Sequence, residues 1–213
     1  NQFAPRELSR HPKGVGPLIL LAASLAAAAP PEVVMGEFVV ARAADTPEVR
    51  TYGVGPCLAL ALYDPQARVG LLAHVSPPDD AESSVGAMLA SLEAAGAERR
   101  RLTARVVGGW KKGDDPLFPD EYTSPKMLKA LVTALSRRGV SADASGAITT
   151  LDRNAPRERV LRSLRLDLRG GTFEDLPPGA VPAEPPREAT RDPDAPGLMV
   201  PHTRSARPNA PKL

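Results

Sequence analysis

Three features of the chain predict an α+β domain. Two runs, Cys57 to Tyr63 and Val69 to Val75, are apolar at nearly every position, as strands covered on both faces require. Two later segments space their apolar residues for one face of a helix. In Ala81 to Ala97 these are Val85, Met88, Leu89 and Leu92; in Ser124 to Arg138 they are Met127, Leu128, Leu131, Val132 and Leu135. Leu164, Leu166 and Leu168 alternate with Arg165, Asp167 and Arg169, the pattern of a strand with one wet face.

The remaining elements follow in order. Val33 to Ala41 reads as a strand, and Asp45-Thr46-Pro47 as a turn. Val49 to Tyr52 is extended. Gly53-Val54-Gly55-Pro56 is a glycine-rich turn that delivers Cys57 to the first buried strand, and Asp64-Pro65 turns that strand back into the second. Pro77 to Asp80 breaks the chain before the first helix. Leu102 to Val107 reads as a strand stopped by Gly108-Gly109, and residues 110–123 as a polar loop. Ser124-Pro125 offers an N-cap and first position for the second helix, and Gly139 a stop. A weak strand starts at Val140.

The two ends differ from the middle. Residues 1–34 carry Arg6, Arg10 and Lys13 ahead of an apolar stretch from Val15 to Ala29. This N-terminal extension reads either as signal-like or as a region upstream of a start at Met35, and its apolar run is short of the roughly 20 residues a membrane span needs. Residues 177–213 hold ten prolines and few large apolar side chains, the composition of a disordered tail. The domain itself spans about 35–176.

Composition excludes several function classes. Twenty-seven basic residues stand against 25 acidic ones, a net charge of +2, and aromatics make up 4%. Neither a phosphate-binding field nor a base-stacking surface is implied, so nucleic acid is not an expected partner. Cys57 is the only cysteine; with His11 and His202 in the tails, no zinc-type spacing exists and no metal is expected.

Cys57 and His74 carry the chemistry. A glycine-rich turn presents the thiol, and a hairpin returns a histidine at the end of the partner strand. An imidazole beside a thiol takes its proton, so that sulfur attacks an acyl carbon, and then protonates the leaving group. A third group normally orients the imidazole, and Thr51 is the candidate. Gly53 and Gly55 let the chain pass close to the thiol and offer backbone N–H groups to an oxyanion. Each piece alone has a plainer reading: a buried cysteine as a small hydrophobe, a strand-end histidine as structural, Gly-Val-Gly-Pro as a turn. The functional reading rests on their combination.

Thr51-Tyr-Gly-Val-Gly-Pro-Cys57, Leu62-Tyr63-Asp64-Pro65, Val69-Gly70 and Leu72-Ala73-His74 together resemble the core motif of the CheD family, in which a threonine stands six residues before the cysteine and a histidine 17 after it. Gly96 to Gly109 resembles the family's passage from helix to strand to paired glycines, and Leu164 to Gly171 its closing strand and turn. The resemblance implies a layered sandwich of packed β-sheets with flanking helices, shared with cysteine-dependent deamidating toxins. It implies deamidation of chemoreceptor glutamines to glutamates in chemotaxis, with Cys57 as nucleophile, His74 as base and acid and Thr51 as orienting residue. It further implies a CheC-type phosphatase partner, a cytoplasmic location, no cofactor and no membrane insertion of the domain.

The chain departs from the family pattern at Pro56, where serine is usual; proline removes a hydroxyl and a backbone N–H. Two other readings therefore stand beside the first. One is a binding module for the phosphatase with weakened catalysis; the other, from the signal-like N-terminus, is a secreted toxin-like deamidase.

Overall fold

The computed structural model describes residues 29–76, 80–111, 124–150, 161–177, 180 and 200–201. In chain order the elements are β1 (Glu32–Val33), β2 (Glu37–Arg42), β3 (Glu48–Val54), β4 (Leu58–Asp64), β5 (Val69–Val75), α1 (Ala81–Ala94), a 3₁₀ turn (Arg99–Arg101), β6 (Thr103–Lys111), α2 (Ser124–Arg137), β7 (Ala142–Thr150), β8 (Arg162–Asp167), β9 (Phe173–Asp175) and β10 (Val200–Pro201). They form two sheets, one ordered β1-β3-β8-β9 and the other β10-β2-β5-β4-β6-β7. Mostly antiparallel strands with two helices packed against one face of the larger sheet make this an α+β fold, as predicted.

The apolar runs explain the layering. Every residue of β4 and β5 is buried. Leu58, Leu60 and Leu62 point to one side, where they meet Val85, Met88, Leu89 and Leu92 of α1 and Leu131 and Leu135 of α2. Ala59, Ala61, Tyr63 and Leu72 point to the other, against Val49, Val54, Leu164 and Leu166 of the smaller sheet. A strand with a helical layer on one face and a sheet on the other has no wet face, so the alternation seen in β8 is absent from β4 and β5.

At the end of β4 farthest from Cys57, Asp64 is fully buried. It accepts bonds from the backbone N–H groups of Gln66, Ala67 and Glu98 and from the Arg101 guanidinium. The guanidinium, and after it the N–H groups, hold this carboxyl well below the usual carboxylate range against the opposing effect of burial. The hairpin turn thereby also anchors the segment between α1 and β6.

Several sequence expectations change in detail. The strand expected over Val33 to Ala41 is two strands in different sheets, because a turn at Met35-Gly36 reverses the chain; Gly36 has φ +84°. β1 lies upstream of the boundary read at residue 35. Gly108 and Gly109 do not stop β6, which continues to Lys111. β9 is too short to have shown a pattern. Residues 112–123 and 151–160 lie outside the described residues, as do residues 1–28. Of the proline-rich segment, Val200–Pro201 pairs in parallel with Glu37 and Phe38 at the sheet edge. Among the described residues no helix is long and apolar enough to cross a membrane.

Candidate active site

The site is built between the two sheets, where β4 begins and β5 ends. Register pairs Ala59 with His74 across these strands. Leu72, two residues before His74, faces the layer between the sheets, so strand alternation turns His74 to the same layer. Cys57 stands two residues before Ala59. It lies in the bend at residues 55–57 that leads into β4, beside Leu58, which pairs with Val75 at the end of β5. Thr51 belongs to β3 of the opposite sheet, two residues after the inward-facing Val49. Side chains from β3 and β5, one from each sheet, thus meet in the interlayer.

Thr51 and His74 meet directly. Thr51 Oγ1 lies 2.9 Å from His74 Nδ1, and 2.9 Å from the main-chain carbonyl oxygen of Val33 in β1. A hydroxyl has one proton, and a carbonyl can only accept. The proton therefore goes to Val33, and Thr51 Oγ1 must accept from His74 Nδ1–H. This arrangement selects one tautomer of the ring: Nδ1 protonated, Nε2 carrying the lone pair.

His74 Nε2 is buried and has no hydrogen-bond partner among the described residues. Leaving such a group unsatisfied costs about 1–3 kcal/mol, which marks it as a feature to be explained by function. Burial also pushes the imidazole pKa down to about 4, so the ring is neutral at pH 7. The ring thus rests as a neutral base whose Nε2 lone pair faces no hydrogen-bond donor among the described residues.

Cys57 is only 5% exposed and His74 only 3%. The backbone around the thiol is held on both sides. Gly109 N–H donates to the Gly55 carbonyl (3.1 Å), and Ser124 Oγ, at the start of α2, donates to the Pro56 carbonyl (2.8 Å) while accepting from Trp110 N–H (2.7 Å). Gly108 allows β6 to cross here. A Cβ on it would lie 2.5 Å from Val54 Cγ1 and 3.0 Å from the Cys57 carbonyl oxygen, and its φ is +91°. Gly53 sits at the bulge where the β3–β8 register shifts, with φ +69° and open space beside it. Gly55 is buried, with Trp110 and Leu161 packed where a Cβ would go. No cluster of metal-binding side chains occurs among the described residues.

Two contributors were missed in the sequence. Ser124 before Pro125 marks a helix cap in the sequence, and its hydroxyl also ties the cysteine loop to β6 and α2. Val33 acts through a main-chain carbonyl, for which its side chain gives no signal.

No family model matches the chain. A protein of Symbiobacterium thermophilum, named probable chemoreceptor glutamine deamidase CheD, is 34% identical over 129 residues, covering 53% of this chain and 78% of that protein. The chain belongs to the CheD family. A CheD protein of Geobacter metallireducens is 31% identical over 117 residues, covering 46% of this chain and 69% of its own length. One from Archaeoglobus fulgidus is 38% identical over 85 residues, about half of its length at 52%. Both are likewise named probable chemoreceptor glutamine deamidases.

Proposed function

We propose that this CheD-family chain hydrolyses the side-chain amide of glutamine in chemoreceptors, with Cys57 as nucleophile, His74 as base and acid, and Thr51 as the residue that orients His74. The observation that carries this reading is the buried His74 Nε2, without a partner among the described residues and held as a proton acceptor by the Nδ1–H bond to Thr51, one residue from Val75, which pairs with the residue after Cys57.

In this reaction the thiol proton passes to His74 Nε2 as sulfur attacks the amide carbon. Starting from a neutral imidazole avoids a resting positive charge in the interlayer, and the imidazolium forms only as the new C–S bond does. Backbone N–H groups of the Gly53–Gly55 turn stabilise the oxyanion. The imidazolium returns its proton to the amide nitrogen, ammonia leaves, and a thioester remains. Water then adds with its proton going to Nε2; collapse of that adduct releases glutamate and restores the thiol. The atoms balance with water alone, so no cofactor takes part. Pro56 offers no N–H to the oxyanion, and its carbonyl, bound by Ser124, fixes the loop instead.

The finer reading includes a role in chemotaxis, a cytoplasmic location, a CheC-type phosphatase partner and a sandwich of the deamidase type. Incubation with purified chemoreceptor cytoplasmic domains tests the activity. The expected product is a receptor peptide heavier by about one dalton per glutamine, formed by the wild type and not by Cys57→Ala. Equal conversion by both proteins would overturn the proposal.

A further inference from the structure

We infer that the main-chain carbonyl of Val33 is a positioning group of this site: by taking the Thr51 hydroxyl proton it sets the tautomer in which His74 can act as a base. The mechanistic consequence rests on the deamidase reading; the tautomer does not.

Without an acceptor on its far side, Thr51 Oγ1–H is free to turn toward His74 Nδ1. The ring then becomes the Nε2–H tautomer, and the atom that must receive the thiol proton is already protonated. One carbonyl separates the two states. The segment bearing it is fastened on both sides. Arg50 N–H donates to the Pro31 carbonyl (2.9 Å), and Val33 pairs in parallel with Thr51. Beyond the turn, Gly36 N–H donates to the carbonyl of His74 itself (2.9 Å). Residues 31–36 therefore grip the strand of Thr51 and the strand of His74 together. Val33 is 2% exposed, so water does not compete for the carbonyl's neighbourhood. A strand two residues long contributes little packing of its own. Its place across the Thr51–His74 pair is what it adds to the site.

The test uses the full chain with one atom changed. Incorporating the α-hydroxy analogue of valine at position 34 turns the peptide bond between Val33 and Val34 into an ester, whose carbonyl is a weaker acceptor. The control is the same replacement of Met35, which weakens the Val34 carbonyl. That group accepts from Glu37 N–H (3.1 Å) in the same segment but does not touch Thr51. The readouts are the protonation of the two His74 ring nitrogens by ¹⁵N NMR, in a His11→Gln/His202→Gln background, and turnover of receptor glutamine. The wild type and the control ester should show Nδ1–H. The ester at 33–34 should move the ring toward Nε2–H and lower kcat about tenfold with KM unchanged. An Nε2–H ring in the wild type, or equal behaviour of the two esters, overturns the inference. If the tautomer shifts as expected but the wild type converts no glutamine, the positioning role stands and the deamidase reading fails.

Discussion

Lowering the pH should destabilise this fold through His74, by an amount the structure allows to be worked out. The ring is 3% exposed, its Nε2 has no partner among the described residues, and burial holds its pKa at about 4 against the ordinary 6.5. The folded state thus binds this proton less readily than the unfolded state. Between pH 6.5 and pH 4 the unfolded chain is protonated first, and stability falls with pH across that window. The interval is worth about 3 kcal/mol at about 1.4 kcal/mol per pH unit, a large part of a typical domain's stability. His74→Gln keeps a polar side chain beside Thr51 but cannot gain a proton. Urea unfolding of both proteins at pH 7.5, 5.5 and 4 isolates the effect. The wild type should lose about 3 kcal/mol more than the variant over this range, with little change in m value. A resting thiolate–imidazolium pair would do the opposite: the folded pKa would exceed 6.5, and the wild type would lose its advantage as pH rises. Parallel curves, or that reversed slope, would refute the neutral-site argument.

Other perturbations have distinct outcomes. Thr51→Ser keeps the hydroxyl bridge and should retain most turnover, whereas Thr51→Val leaves His74 Nδ1 unpaired and should lower kcat by about 10²-fold, read in the receptor mass assay. Gly108→Ala places a Cβ against Val54 and the Cys57 carbonyl at a positive φ, and should cost at least about 2 kcal/mol in chemical unfolding. Arg101→Ala strips the guanidinium from the buried Asp64 carboxylate and should lower the midpoint of urea unfolding at pH 7, while leaving the Cys57 end of the sheet intact.

The strands that build the interior were legible because tertiary burial wrote itself into composition. β4 and β5, covered on both faces, are continuous apolar runs; α1 and α2 bury one face each and show it in their spacing. The Thr51, Cys57 and His74 set was legible through spacing and resemblance, and the structure unites Thr51 with His74 at 2.9 Å. What stayed hidden depends on contacts between distant residues or on main-chain atoms. The break at Gly36 sends β1 and β2 to different sheets, though Val33 to Ala41 reads as one strand. The Ser124 hydroxyl meets a carbonyl 68 residues away. The Val33 carbonyl would be present whatever residue stood there. The neutral imidazole follows from burial between two sheets, which no local pattern encodes.

Capture of the acyl-enzyme tests the central claim most directly. Wild-type protein mixed with a chemoreceptor domain and quenched in acid within the first turnover should carry a receptor-derived thioester on the Cys57 peptide, detected by mass, at a level that falls in His74→Gln. A covalent adduct on another residue, or deamidation that proceeds with Cys57 never acylated, would contradict the account.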